Sequence, residues 1–210
     1  MHRFLLCLIC WLAVVGAMAQ EFSVQPIPDS VFQRMQGRSW PEGCTIRRVD
    51  LRYLRLTHVD AENKEHVGDM VCNKAIANDL IAIFKELYRQ KYPIQRIRLI
   101  DDYEAVDERS MRDNNTSCFC YRKVSGSTKL SKHATGMAVD VNTLYNPYVR
   151  TGKNGRRIVE PATATKYVDR RRTFPYKIVK GDLLYRLFVQ HGFQWGGSWR
   201  TMKDWQHFEK

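Results

Sequence analysis

The chain has 210 residues, with 34 Lys and Arg against 22 Asp and Glu and a formal charge of +12. Its 44% hydrophobic and 11% aromatic residues, with only 12 glycines and 7 prolines, exclude a disordered, collagenous or low-complexity chain, and its length suits one globular domain, or at most two small ones, with a real core. The charge leaves anionic partners open: nucleic acid, an acidic membrane surface or a cell-wall polymer.

The N-terminus reads as a secretory signal. Arg3 precedes an apolar run over residues 4–15, and Ala17-Met18-Ala19 is a small-residue site that predicts cleavage after Ala19. The run is too short to span a bilayer comfortably, and Ile9 before Cys10 does not fit a lipoprotein box. Cleavage would leave residues 20–210, or 191 residues, and removing Arg3 with no acid would lower the charge by one to +11. Four cysteines would remain, Cys44, Cys72, Cys118 and Cys120. In an exported protein they can make two disulfides. One residue separates Cys118 from Cys120, which strains a direct bond, so any bridge is expected to run from them to Cys44 or Cys72, with the connectivity open. A Cys-x-Cys zinc site is the alternative, at a spacing shorter than usual.

Beyond the signal, Asp29 or Ser30 is predicted to cap a helix over 31–36 that Gly37 ends. Residues 47–59 alternate as a strand, with a one-residue slip after Tyr53 that suggests a bulge. Asn73 is placed to cap a helix to about residue 90, with Ile76, Leu80, Ile83, Phe84 and Leu87 as its apolar stripe and Pro93 beyond its end. A half-buried strand follows over 94–100, then a polar, irregular stretch over 101–132 and a short strand over 137–142. Residues 145–172 read as a basic, turn-rich surface excursion. Asp182 caps a helix through Leu184, Leu187 and Phe188 that Gly192 closes, and an aromatic, glycine-rich tail runs over 193–209. Helices and strands mix without βαβ regularity, which predicts an α+β domain. His58, on a strand, His66, in a polar loop, and His191, at a helix end, read as structural.

Two short stretches carry the chemistry. In the first, Gly136 allows a turn between His133 and the strand. Met137, Val139 and Val141 then face the core, and Ala138, Asp140 and Asn142 face the other way. Asp140 emerges beside the small Ala138, which leaves room for an ion, and His133 arrives from the loop. In the second, Asp204 and His207 stand three apart, and on a tight turn their side chains share one side. His133, Asp140 and His207 therefore make three candidate ligands for one zinc ion with an open water position, and Asp204 can take the water proton, with Glu209 as the second choice. Ser131 can support the site from behind, while Trp195 and Trp199 are either core or substrate wall.

These residues also resemble a family. Ser131-x-His133-x-x-Gly136-x-Ala138-x-Asp140, followed by Asp204-x-x-His207-Phe208, looks like the zinc D-alanyl-D-alanine carboxypeptidases of the M15 peptidases. That family is related to vancomycin-resistance dipeptidases and to phage and bacterial L-alanyl-D-glutamate endopeptidases. The resemblance runs from about Cys44 to the C-terminus, through residues 110–117 and Trp195-Gly196-Gly197. It divides the chain into a signal (1–19), an N-terminal segment (20–43) and a zinc peptidase domain (44–210). It implies His133, Asp140 and His207 as zinc ligands and Asp204 as the residue that activates water, where many relatives have Glu. It also implies an arginine that polarises the substrate carbonyl. Tyr121-Arg122 best matches its context, with Arg112 and Arg98 as alternatives. The fold implied is that of hedgehog signalling domains, a small antiparallel sheet with flanking helices around a zinc site. The function implied is hydrolysis of stem peptides in bacterial peptidoglycan by an exported monomer with no nucleic-acid partner and no membrane anchor after cleavage. A non-catalytic zinc-binding cell-wall module of the same fold is the alternative. Asn114 and Asn115 each open an Asn-x-Ser/Thr sequon, expected to carry no sugar.

Overall fold

The computed structural model describes residues 20–210, so the predicted signal over 1–19 lies outside the described residues. The first half of the chain is organised by one antiparallel sheet. Its strands are β1 (Phe22–Gln25), β2 (Leu51–Val59) and β3 (Glu65–Asn73), in that order. β2 and β3 pair without interruption from Leu51↔Asn73 to Val59↔Glu65, so the slip in the β2 pattern is not a bulge. Its cause is burial on both faces. Leu51 and Tyr53 enter a cluster with Val31 and Met35 of α1 (Asp29–Met35), while Leu54 and Leu56 enter the main core. A strand covered on both sides carries apolar residues at both parities. Pro28, not Asp29 or Ser30, occupies the N-cap of α1, and the Asp29 carboxylate is taken by Arg48 at 2.6 Å.

Helix α2 (Ala77–Arg89) lays Leu80, Ile83, Phe84 and Leu87 into the main core, as its stripe predicts. It begins later than expected because Asn73 closes β3 instead of capping a helix. The Asn73 side chain accepts from Ala75 N and donates to Thr135 O, tying β3 to the loop of the second half.

The stretch from 94 to 117 is more ordered than its polarity suggests. β4 (Arg96–Ile97) pairs in parallel with β5 (Asn115–Thr116), and α3 (Asp107–Arg112) lies between them. β4 is short because the chain turns into a 3-10 segment at Ile100–Tyr103. Asn114 and Asn115 are buried. Asn115 bridges Arg98 N, Arg98 O and Ser110 Oγ, and Asn114 binds Gln95 and Leu144 N, so both sequon amides are spent inside the protein.

The second half holds two more three-stranded antiparallel sheets. One is β6 (Ala138–Asp140), β11 (His207–Glu209) and β9 (Gln194–Trp195), with β11 in the middle. The other is β10 (Lys203–Asp204), β7 (Tyr148–Thr151) and β8 (Arg157–Glu160), with β7 in the middle. The excursion predicted at 145–172 thus contains a hairpin, followed by a 3-10 segment at Ala162–Tyr167. Helix α4 (Leu183–Gln190) is capped by Asp182, whose Oδ1 accepts from Tyr185 N at 2.7 Å, and packs Leu184 and Phe188 into the core. The class is α+β as predicted, but the sheet is divided into several small ones.

All four described cysteines are free thiols, against the expected bridges. Cys72, Cys118 and Cys120 act as buried apolar side chains, and burial pushes the Cys120 thiol up to about 12. Cys118 Sγ donates to Gly136 O, and no Cys-x-Cys metal cluster forms among the described residues.

His66 lies on β3, not in a loop, and pairs directly with His58 across the ribbon. His58 is buried, with Nε2 unpartnered, and burial holds its pKa down at about 4. In the unfolded chain a histidine titrates near 6.5, so the unfolded state binds more protons between those values. The stability contribution is complete above about pH 6.5 and falls by about 3 kcal/mol as pH drops to about 4. Urea unfolding at pH 7 and pH 4 measures it. His58→Phe should lose correspondingly less stability over that interval than the wild type, and an equal loss would refute the assignment.

Candidate metal and active site

The site lies where β6 and β11 pair. His207 stands directly opposite Asp140, and antiparallel pairing brings such residues within about 5 Å at Cα. His133 comes from the 3-10 turn Lys132–Thr135, whose entry is capped by Ser131 Oγ accepting from His133 N at 3.2 Å. Gly136 ends that turn at φ +68, and a Cβ there would lie 2.6 Å from Asn73 N. Only glycine lets this turn seat against β3 and deliver His133.

The three side chains meet. His133 Nε2 lies 3.1 Å from Asp140 Oδ2, His207 Nδ1 lies 2.9 Å from Asp140 Oδ1, and the two imidazole nitrogens are 3.2 Å apart. All three residues are buried, and among the described residues no other group of three or more potential ligands gathers this closely. The far nitrogen of each ring has its own acceptor. His133 Nδ1 donates to Cys118 O at 2.7 Å, and His207 Nε2 donates to Glu209 Oε2 at 3.1 Å. These outer bonds fix the tautomers, so the near nitrogens aim their lone pairs at one another and at the carboxylate. Two imidazole lone pairs and a carboxylate at this separation suit a shared cation, and the nitrogen and oxygen donors fit a borderline divalent metal. Without a metal, burial works against charge on His207, but Asp140 and Glu209 outweigh it and push its pKa up to about 10. A metal must displace that proton, so affinity falls with acid.

The segment leading into Cys118 is itself held by the site. Ser117 N donates to Asp140 O, and Asp140 N donates to Ser117 O. The segment 110–117, singled out in the sequence, therefore acts behind the ligands through its backbone.

Asp204 ends β10 beside the trio. Gly196 makes this approach possible, since a Cβ there would meet Asp204 O at 2.7 Å and Asp204 Cβ at 2.9 Å. Burial is the main force on the Asp204 carboxyl, with Asp140 reinforcing it and His207 and Arg122 opposing it, and its pKa rises to about 8. Its Oδ1 is buried without a partner.

Arg122 reaches the same cleft. A hairpin folds the chain between them, with Lys123 bridging Leu130 and Ser131 N donating to Arg122 O, so the 11 residues from Arg122 to His133 return to one place. Arg122 pairs with Asp107 Oδ2 at 2.5 Å, and its buried Nε is unpartnered. Of the alternatives, Arg112 is exposed and paired with Glu108, and Arg98 lies on a different cavity.

The cleft measures about 290 Å³, and Trp199 forms part of its wall, its ring 5.4 Å from that of His207. Trp195 does not line it. Its indole donates to Trp205 O, and its ring stacks near Phe208 in the core. Glu209 serves as the acceptor behind His207 and also lines the cleft. Asp107, Tyr148 and Glu160 line the cleft too, unforeseen in the sequence. The signal for the last two was present: alternating residues on either side of Thr151-Gly152-Lys153-Asn154-Gly155 are a hairpin pattern.

A family model described as D-alanyl-D-alanine carboxypeptidase, of the M15 peptidases, matches residues 125–210. Over these residues the chain is similar to the M15 peptidases. The matched residues include His133, Asp140, His207, Asp204 and the β7–β8 hairpin, while Arg122 and Asp107 precede them. No curated protein and no solved structure matches the chain. Among the described residues, no helix is long and apolar enough to cross a membrane.

Proposed function

We propose that the protein is a zinc-dependent peptidase that hydrolyses peptide bonds in the stem peptides of bacterial peptidoglycan, as a D,D-carboxypeptidase or an endopeptidase, with the fold of hedgehog signalling domains. The observation that carries this reading is the convergence of His133 Nε2, Asp140 and His207 Nδ1, each imidazole locked by an outer hydrogen bond. These three residues would hold one zinc ion, which when bound supplies Lewis-acid polarisation and lowers the pKa of water. Ser131, Cys118 O and Glu209 keep the ligands in place.

The chain supplies the proton and charge handling. Asp204 accepts the proton of the attacking water and passes it to the leaving amine. Burial raises its pKa, which makes it a stronger proton acceptor than an exposed carboxylate. Arg122 donates to the substrate carbonyl oxygen and stabilises the charge that develops on it, with Asp107 holding the guanidinium in place. Trp199 and the apolar side chains Met111 and Leu130 exclude water around the bound peptide. Location follows from the substrate: the predicted signal would export the chain to the envelope, where its basic surface favours an anionic wall polymer.

Incubating the zinc-loaded protein with purified muropeptides and following their masses tests this reading. Loss of a single terminal residue, or scission within the stem, is expected. No product from any stem peptide would exclude the enzyme and leave a non-catalytic zinc-binding module.

A further inference from the structure

The β10-β7-β8 sheet places three cleft residues in one row. Asp204 is the register partner of Tyr148, and Tyr148 is the register partner of Glu160. Residues opposite one another in antiparallel strands point to the same face, and all three line the cleft. Two strand spacings set Glu160 about 10 Å from Asp204 along this row. The Glu160 carboxylate is half-buried, and its side-chain hydrogen bond is Oε1 accepting from the neutral Ser125 hydroxyl at 3.1 Å. Neither Arg150, next on the same face of β7, nor Lys129, on the hairpin that carries Ser125, forms an ion pair with it among the described residues. A carboxylate has about four acceptor positions, so Glu160 retains the capacity to bind a cation. The Tyr148 ring beside it adds a face that favours an ammonium group.

We infer that Glu160, with Tyr148, forms a specificity subsite for a substrate primary ammonium group about 10 Å from Asp204. This rests on the peptidase reading above. An extended residue spans about 3.3–3.6 Å. The ammonium is therefore carried either on a long side chain of a diamino acid adjoining the scissile bond or at a peptide N-terminus some three residues away. The same charge rejects a carboxylate in that position.

Two pairs of short peptides test the subsite. In one pair a diamino-acid side-chain amine beside the scissile bond is free or acetylated, and in the other the α-amine is free or acetylated. Equilibrium binding is measured on the metal-free full chain, where no hydrolysis is expected, and kcat and KM on the zinc-loaded chain. The wild type is expected to prefer the free amine by about tenfold in Kd and KM in the pair that has the correct source. Glu160→Gln should abolish that preference while leaving the acetylated peptide bound as before. Equal affinity of the wild type for both members of both pairs, or an equal loss on free and acetylated peptides in the variant, would overturn the subsite. Binding is read without turnover, so an absence of hydrolysis would count against the peptidase reading and a missing amine preference against this one.

Discussion

Asp204→Asn should retain a full metal complement and lose turnover by about 10²–10⁴-fold, the range for removal of a general base. The substitution keeps shape and volume, and Asp204 stands outside the ligand trio, so folding and metal content are expected to hold. An amide cannot take the proton of the attacking water. The carboxylate it replaces is buried, with Oδ1 unpartnered, and is set in place by the close packing of Gly196. Metal analysis and kcat on one muropeptide read the two halves of the prediction. Turnover equal to that of the wild type would remove Asp204 from the proton-transfer role and turn attention to Glu209, the other carboxylate beside His207.

His133→Ala should abolish both metal retention and activity. The variant leaves two ligands of three and frees Cys118 O of its buried partner. Loss of an outer-shell partner costs about 10–100-fold in metal affinity, and loss of a direct ligand should exceed that. Equilibrium dialysis against a zinc buffer measures the affinity. Circular dichroism of the metal-free forms separates this loss from unfolding, and Asp140→Asn, which keeps volume, provides a second test. A stoichiometric metal in His133→Ala would take that residue out of the ligand set.

The helices and their buried faces were largely legible in the sequence. The α2 stripe and the Asp182 cap of α4 are local patterns, and local patterns survive in the fold. The strands were less so. β3 went unrecognised because its polar and glycine residues hide its alternation, and β2 misled because it is buried on both faces. The two ligating motifs were visible as well, since a turn glycine between His133 and Asp140, and the spacing from Asp204 to His207, carry meaning at short range. Trp195 was not decidable, because core and cleft wall ask for the same side chain and only its bond to Trp205 O settles the matter. The cysteines suggested bridges by number and compartment, yet each thiol has its own environment in the fold.

By itself, then, the amino-acid order determined that this basic chain is an α+β protein with a His-Asp-His set and an acid three residues before the last ligand, because each of these is written within a few consecutive residues. Tertiary structure decided what needs distant segments to meet. β6–β11 pairing sets His207 opposite Asp140, a hairpin returns Arg122 to the cleft, Cys118 O and Glu209 aim the imidazoles, and the β10-β7-β8 row puts Glu160 in line with Asp204. Those relations arise from register and long-range hydrogen bonding, which no local pattern encodes. The excess positive charge, which first left nucleic acid and wall polymer equally open, says less about the site than this arrangement does: the cleft itself is lined by both signs.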